Sequence, residues 1–266
     1  MRRSVFVTVF LLCFMTGQAF AADNLSEAVS KIESGILTIL KGVEGTVSQA
    51  ARETGILGLN RETEIRKLLQ NCNTGRPYVI DSTFVDGNGI MKFIEPEKYR
   101  KYEGTDISKQ EAIIEMRKTQ KPRMGSVFVS AEGVKSIDIE YPIFSAGKKF
   151  IGSISILVRH DELIRSVAST VENESVAKCW VMQKDGLLLY ETDPMQMGLN
   201  LFTDPLYKDY PELIKLGKQM VKEKEGKGFY TFLIHGTKTV VKKQAVWKTV
   251  HFLNNDWIVV AYKEVK

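Results

Sequence analysis

The chain has 266 residues, 44% of them hydrophobic, and a formal net charge of +5. That length suits two domains of roughly 100 residues each, and that apolar content supplies two modest cores. The charge is too mild to point to nucleic acid or an anionic membrane; the longest basic cluster, Lys242-Lys243 with Lys238 and Lys248, is broken by apolar residues at strand spacing.

The first residues read as an export signal. Arg2-Arg3 is basic, Val5 to Met15 is apolar, and Ala19-Phe20-Ala21 has the small-x-small form of a cleavage site. The expectation is a signal peptide over 1–21, cleaved near Ala21, and a periplasmic or secreted product. The apolar run is short for a membrane span; an uncleaved N-terminal anchor is the alternative reading.

Residues 22–54 predict one long helix. Leu25, Val29, Ile32, Ile36, Ile39, Val43, Val47 and Ala50 recur at steps of three and four, a single apolar stripe. The stripe suits packing on the protein's own sheets and also a homodimer through the N-terminal helix. Gly35, Gly42 and Gly45 weaken an isolated helix by about 1 kcal/mol each, which favours the first use.

Gly55 to Gly58 breaks that helix, and Asn60 is expected to cap a second one reaching about Asn71, with Glu62 and Glu64 in its first turn. Asn73-Thr74-Gly75 ends it. Strands are predicted over 77–84 and 90–94 around an Asp86-Gly87 turn, then an irregular stretch with Tyr99-Arg100 and Tyr102, a helix over 108–119, and strands over 126–130, 134–144 and 149–158. Ser136 to Tyr141 alternates polar and apolar residues, which predicts a strand buried on one face. Residues 161–170 read as a connecting helix.

From about residue 175 the same order returns. A strand over 179–183, an Asp185-Gly186 turn and a strand over 187–190 lead to Gly198-Leu199-Asn200-Leu201. A helix opens at Pro211, and strands follow over 228–234, 238–248 and 256–262. An echo about a hundred residues long means two similar domains in tandem, 55–170 and 171–266, each α+β with a mostly antiparallel sheet. Cys72 and Cys179 fall in different domains, so buried thiols are favoured over a disulfide.

The segments "GTDISKQEAI", "YPIF" and "FIGSISILV", with "DELI" opening the connecting helix, resemble the membrane-distal unit of the double Cache (PAS-like) extracytoplasmic sensor family. "MGLNLFTDPLYKDYPELIKLGKQM" and "KKQAVWKTVHF" are similar to its membrane-proximal unit. The resemblance covers nearly the whole chain after residue 21. It implies a long N-terminal helix followed by two tandem PAS-like domains, a small-molecule ligand and a membrane-bound signalling partner. Family members typically continue into a transmembrane helix and a cytoplasmic module, whereas this sequence stops at Lys266, so a free-standing sensor is expected. The family's amino-acid signature is incomplete: Tyr99-Arg100 stands in the right region, but no Trp follows at the expected place.

In such a fold the ligand lies between the sheet and the helix with its irregular segment. The candidate ligand residues in the first domain are Tyr99, Arg100, Tyr102, Asp106, Arg123, Asp138 and Tyr141. Those in the second are Tyr190, Asp204, Tyr207, Tyr230, Lys243 and Trp247. Arg can grip a carboxylate through two parallel hydrogen bonds and Tyr hydroxyls can orient it, so the expected solute is anionic or zwitterionic.

Nothing in the sequence builds an enzyme. Ser175-x-x-Lys178 lacks its partner motifs, and His160, His235 and His251 are isolated from any metal-ligand spacing. Asp86-Gly87-Asn88-Gly89 fails as a calcium loop because Ile90 and Met91 occupy positions that need a ligand and a glycine. No catalytic residue, metal or cofactor is expected. The rival reading is a non-catalytic interaction module that dimerises through the long helix.

Overall fold

The computed structural model describes residues 8–265 except His235, with side chains described from residue 24 onward. The expected signal peptide therefore lies outside the described residues for 1–7 and for the side chains of 8–21. The chain divides into two compact units. One comprises residues 36–165 with the 251–256 turn; the other comprises residues up to Gly35 with 166–250 and the segment from Trp257 onward. Helix α1 (Thr8–Leu57) has residues in both.

In the 36–165 unit, α1 is followed by α2 (Glu62–Asn73), β1 (Val79–Asp86), β2 (Met91–Glu95), α3 (Glu111–Thr119), β3 (Arg123–Met124), β4 (Phe128–Val129), β5 (Lys135–Phe144) and β6 (Phe150–Val158). The strands form an antiparallel sheet in the order β2-β1-β6-β5-β3, with β4 also paired to β5. Register decides what each face carries. Phe84 opposes Ile154, Ile154 opposes Tyr141, and Ile156 opposes Ile139, so one face is largely apolar. It meets α2, whose Leu69 carbonyl accepts from Ser82 Oγ at 2.7 Å. The other face carries Asp81, Thr83 and Val85 from β1, Ser153, Ser155 and Leu157 from β6, and Asp138 and Glu140 from β5.

The second unit holds the start of α1, the later part of α4 (His160–Glu174), β7 (Lys178–Gln183), β8 (Leu188–Glu191), α5 (Pro211–Lys222), β9 (Glu225–Leu233), β10 (Val240–Phe252) and β11 (Asn255–Val265). Its sheet runs β8-β7-β11-β10-β9. Both sheets place the closing strand beside the opening one, which is the structural form of the hundred-residue echo. Pro211 occupies the first turn of α5, where its missing N–H costs no helical bond. The core packs Trp180, Met182, Tyr207, Leu213, Leu216, Trp247, Ile258 and Val260.

The apolar stripe of α1 is buried within the chain, with Leu40 taking the inward place expected of Ile39. Each such aliphatic side chain removed from water contributes about 1.5–3 kcal/mol. Three local expectations are corrected. Arg61, not Asn60, stands at the start of α2 and caps nothing with its side chain; Glu62 and Glu64 stand in the first turn, where negative charge is favourable. The stretch 97–102 winds into a 3-10 helix rather than staying irregular. Finally, β5 is buried on both faces from Ser136 to Glu140, not on one. Cys72 and Cys179 are free and buried. Among the described residues, no helix is long and apolar enough to cross a membrane.

Candidate functional site

The polar face of the 36–165 sheet is covered by α3, β4 and the turn after β4. Ser130 closes that turn by donating its amide to the Val134 carbonyl at 3.0 Å. Beneath the cover lies a cavity of about 50 Å3. Its floor is Thr83, Val85, Asp138, Glu140, Ser155 and Leu157, and its roof includes Ile107, Gln110, Ile113, Phe128 and Glu132. A recess of about 550 Å3 adjoins it across Phe128 and Asp138 and is lined by Glu115, Arg123, Gly125 and Asn254 among others. Gly125 is needed there: a Cβ at that position would fall 1.8 Å from Asp138 Oδ1.

The electrostatics of this sheet face are one-sided; Asp138 and Glu140 line the cavity, and Asp81 lies beside it on the same face. Asp81, Asp138 and Glu140 are 1%, 5% and 0% exposed. Arg123 Nη1 lies 2.8 Å from Asp138 Oδ2 and 3.9 Å from Glu140 Oε2, while its Nε donates to Glu115 at 3.1 Å. Ser153 Oγ donates to Glu140 Oε1 at 2.5 Å, and Thr83 Oγ1 donates to Asp81 Oδ1 at 3.0 Å. The remaining oxygens, Glu140 Oε2 and Asp81 Oδ2, are buried without a hydrogen-bond partner, as are both carboxylate oxygens of Glu132. Burial, reinforced by Asp138, pushes Glu140 up to about 8; burial, reinforced by Glu132, does the same to Asp81. Burial also raises Asp138 despite Arg123. Among the described residues no group of three or more His, Cys, Asp or Glu side chains is arranged to hold a metal ion.

The sequence-predicted residues separate clearly around this cavity. Asp138 lines it, and Arg123 lines the adjoining recess with Asp138. Tyr99, Arg100 and Tyr102 line neither. Arg100 Nη2 donates to Glu95 Oε1 at 2.6 Å, and Tyr99 and Tyr102 lie under the ammonium groups of Lys98 and Lys101. Asp106 is exposed and closes a turn by accepting from the Ser108 amide. Tyr141 points to the opposite face and donates to Glu44 of α1. Sequence reasoning missed Asp81, Thr83, Glu132, Glu140 and Ser155. The signal available was the polar alternation of Ser136 to Tyr141, read there as a strand buried on one face only.

In the second unit the equivalent space is nearly full. A cavity of about 20 Å3 remains, which Tyr207, Tyr230 and Lys243 line together with Trp180, Glu191 and Gln196. Tyr207 donates to Gln196 Oε1 at 3.1 Å and Lys243 to the Leu233 carbonyl at 2.8 Å. Burial raises Glu191 to about 7 and lowers Lys243. Trp247 is a core ring whose Nε1 donates to the Glu223 carbonyl. Asp204 caps the 3-10 turn Pro205–Tyr207, and Tyr190 is buried on β8; neither lines the cavity.

Comparison with known proteins places this geometry. Residues 38–160 match the model of the HK/GC/chemotaxis protein-like sensor domain. No curated protein is significantly similar in sequence. Among solved structures, an extracellular ligand binding receptor from Desulfohalobium retbaense is 24% identical over 90% of this chain with a TM-score of 0.75; this chain spans 40% of that receptor's length. The ligand-binding domain of the Pseudomonas fluorescens chemoreceptor CtaA, in complex with L-isoleucine, is 14% identical with a TM-score of 0.62, covering 94% of this chain and 96% of that one. The ligand-binding domain of the Pseudomonas aeruginosa chemoreceptor PctC, in complex with GABA, is 15% identical with a TM-score of 0.61, covering 90% and 98%. At such identities the likeness is one of fold. The chain thus matches the HK/GC/chemotaxis protein-like sensor domain model over residues 38–160 and has the α+β double Cache fold: a long N-terminal helix and two antiparallel sheets with flanking helices.

Proposed function

We propose that the chain is an exported, non-catalytic sensor whose 36–165 unit, the membrane-distal type of Cache domain, binds a small solute in the carboxyl-lined cavity. The observation that carries this reading is a set of buried carboxylate oxygens without partners around a cavity. A folded domain tolerates such groups at a cost of about 1–3 kcal/mol each, and a ligand that satisfies them recovers that cost. Solved structures of this fold carry L-isoleucine and GABA, which supports a small-molecule ligand that bears an amino group. The excess of carboxyls weighs against an anionic solute and accommodates a zwitterionic or cationic one.

The second unit, the membrane-proximal type, acts as a filled support, because its equivalent space is occupied by Trp180, Tyr207 and Trp247. Ligand binding signals by favouring one arrangement of α1 over another, for a membrane-bound partner to read. A second copy would meet α1 on its polar side, since the stripe is already buried. Export rests on the Arg2-Arg3, Val5–Met15 and Ala19-Phe20-Ala21 pattern, and a mature mass starting at Ala22 is the expected result.

The test is a thermal-shift screen of amines, amino acids and organic acids on the wild type and on Asp138→Asn. A stabilising compound whose effect is lost in the variant supports the reading. A panel with no hit, or hits indifferent to Asp138, sinks it.

A further inference from the structure

Resting on that assignment of the cavity, we infer that its ligand is a compact organic cation, a primary ammonium on a short apolar stem with no carboxylate of its own. Charge balance is the first ground. Asp81, Asp138 and Glu140 line one face of the sheet and Glu132 caps it, whereas the Arg123 guanidinium nearby is already engaged by Asp138 and Glu115. With Arg123 engaged, a ligand carboxylate entering here would find no free cation among the lining residues, where the donors are the neutral side chains of Thr83, Gln110, Ser130 and Ser155.

Valence is the second ground. Glu140 is fully buried and lines the cavity, and its Oε2 accepts no hydrogen bond; neither does either oxygen of Glu132. These are acceptors waiting for donors. A primary ammonium brings three N–H donors and no acceptor, so every polar atom it carries can be satisfied. The third ground is the wall. Val85, Met91, Ile107, Ile113, Phe128 and Leu157 surround the polar floor with carbon. On the measure by which one water fills roughly 10–15 Å3, a cavity of about 50 Å3 takes about four non-hydrogen atoms. That matches an ammonium with a stem of a few carbons.

Calorimetry of the full chain with n-propylamine, 3-aminopropionate and propionate separates the cases, because the stem is nearly constant while the charge changes. n-Propylamine is expected to bind, 3-aminopropionate to bind roughly tenfold or more weakly, and propionate not to bind. Glu140→Gln should weaken the amine by about tenfold or more, as expected for loss of a charge-assisted contact. Its melting transition shows that the variant folds, and Glu132→Gln, on the turn, provides an independent variant with the same expected loss. If propionate or 3-aminopropionate binds at least as tightly as the amine and depends on Glu140, the cavity stands as the ligand site and the charge assignment falls. If none of the three binds in a Glu140-dependent way, both the charge assignment and the reading of the cavity fall.

Discussion

Ser153 donates its hydroxyl to Glu140 Oε1 at 2.5 Å and leaves Oε2 buried with no hydrogen-bond partner. The pair sits on the sheet face that forms the floor of the cavity, so one oxygen of a fully buried carboxylate is committed to Ser153, while the other has only Arg123 Nη1 at 3.9 Å. Glu140→Gln keeps an acceptor for Ser153 and removes a carboxyl that must hold its proton, well above the ordinary carboxyl range, to stay buried. The unliganded variant should be more stable than the wild type by about 1–3 kcal/mol at neutral pH. Urea denaturation checks this; a less stable variant would show that the carboxyl is stabilised in the native state.

The same cluster sets the pH dependence. Asp81 and Glu140 are both held up at about 8 by burial and by neighbouring carboxyls, while the unfolded chain releases those protons in the ordinary carboxyl range. Between those limits the native state holds more protons than the unfolded one. Stability is therefore greatest on the acid side and falls as pH rises toward 8, by up to about 1.4 kcal/mol per pH unit for each group. Asp138, Glu115, Glu132 and Arg123 face the same region, and burial raises Asp138 as well. Melting temperature followed from pH 5 to pH 8 should drop in the wild type and drop less in Glu140→Gln. Equal slopes in the two proteins would place the titration elsewhere.

Periodicity made the frame legible. The α1 stripe, the Asp-Gly turns, Pro211 and the paired hundred-residue halves each depend on neighbours along the chain, and each appears close to where the residues indicate. The cavity was less legible, because its burial is supplied from a distance. Ser136, Asp138 and Glu140 alternate with isoleucines as solvent-facing residues would, yet α3 and the 128–134 segment close over the lower end of that face. Tyr99, Arg100 and Tyr102 read as ligand groups by residue type and by their place in the segment expected to cover the ligand. What their types could not reveal was Glu95, a buried carboxylate five residues before Arg100 that takes the guanidinium first.

Arg100→Ala is accordingly expected to leave ligand affinity unchanged. Arg100 contributes one arm of the cluster around Glu95, which Arg66 approaches at 3.4 Å and Gln70 at 3.3 Å. Its side chain is 35% exposed, so solvent screening limits the loss to about 1 kcal/mol of stability. Calorimetry with the cavity ligand, run beside urea denaturation, tests both halves. A marked fall in affinity would bring the 3-10 segment back into the binding site.

The filled state of the second unit makes a separate demand on Gly226. A Cβ there would stand 2.2 Å from the Trp247 ring, and that ring is fully buried, held by its Nε1 bond to the Glu223 carbonyl and packed among Trp180, Tyr230 and Leu216. The ring has no open space to move into, and the backbone at Gly226 is paired to Trp247 in the β9–β10 ladder, so neither side can yield cheaply. Gly226→Ala should destabilise the protein by about 1–3 kcal/mol through overpacking. Because the damage falls in the unit that does not hold the proposed ligand cavity, ligand affinity of the folded variant should match the wild type. Trp247→Phe in the Gly226→Ala background removes part of the ring and should recover some of the loss, a coupling that a double-mutant cycle measures directly. Additive effects of the two substitutions would show that the ring, not the strand pairing, is free to adjust.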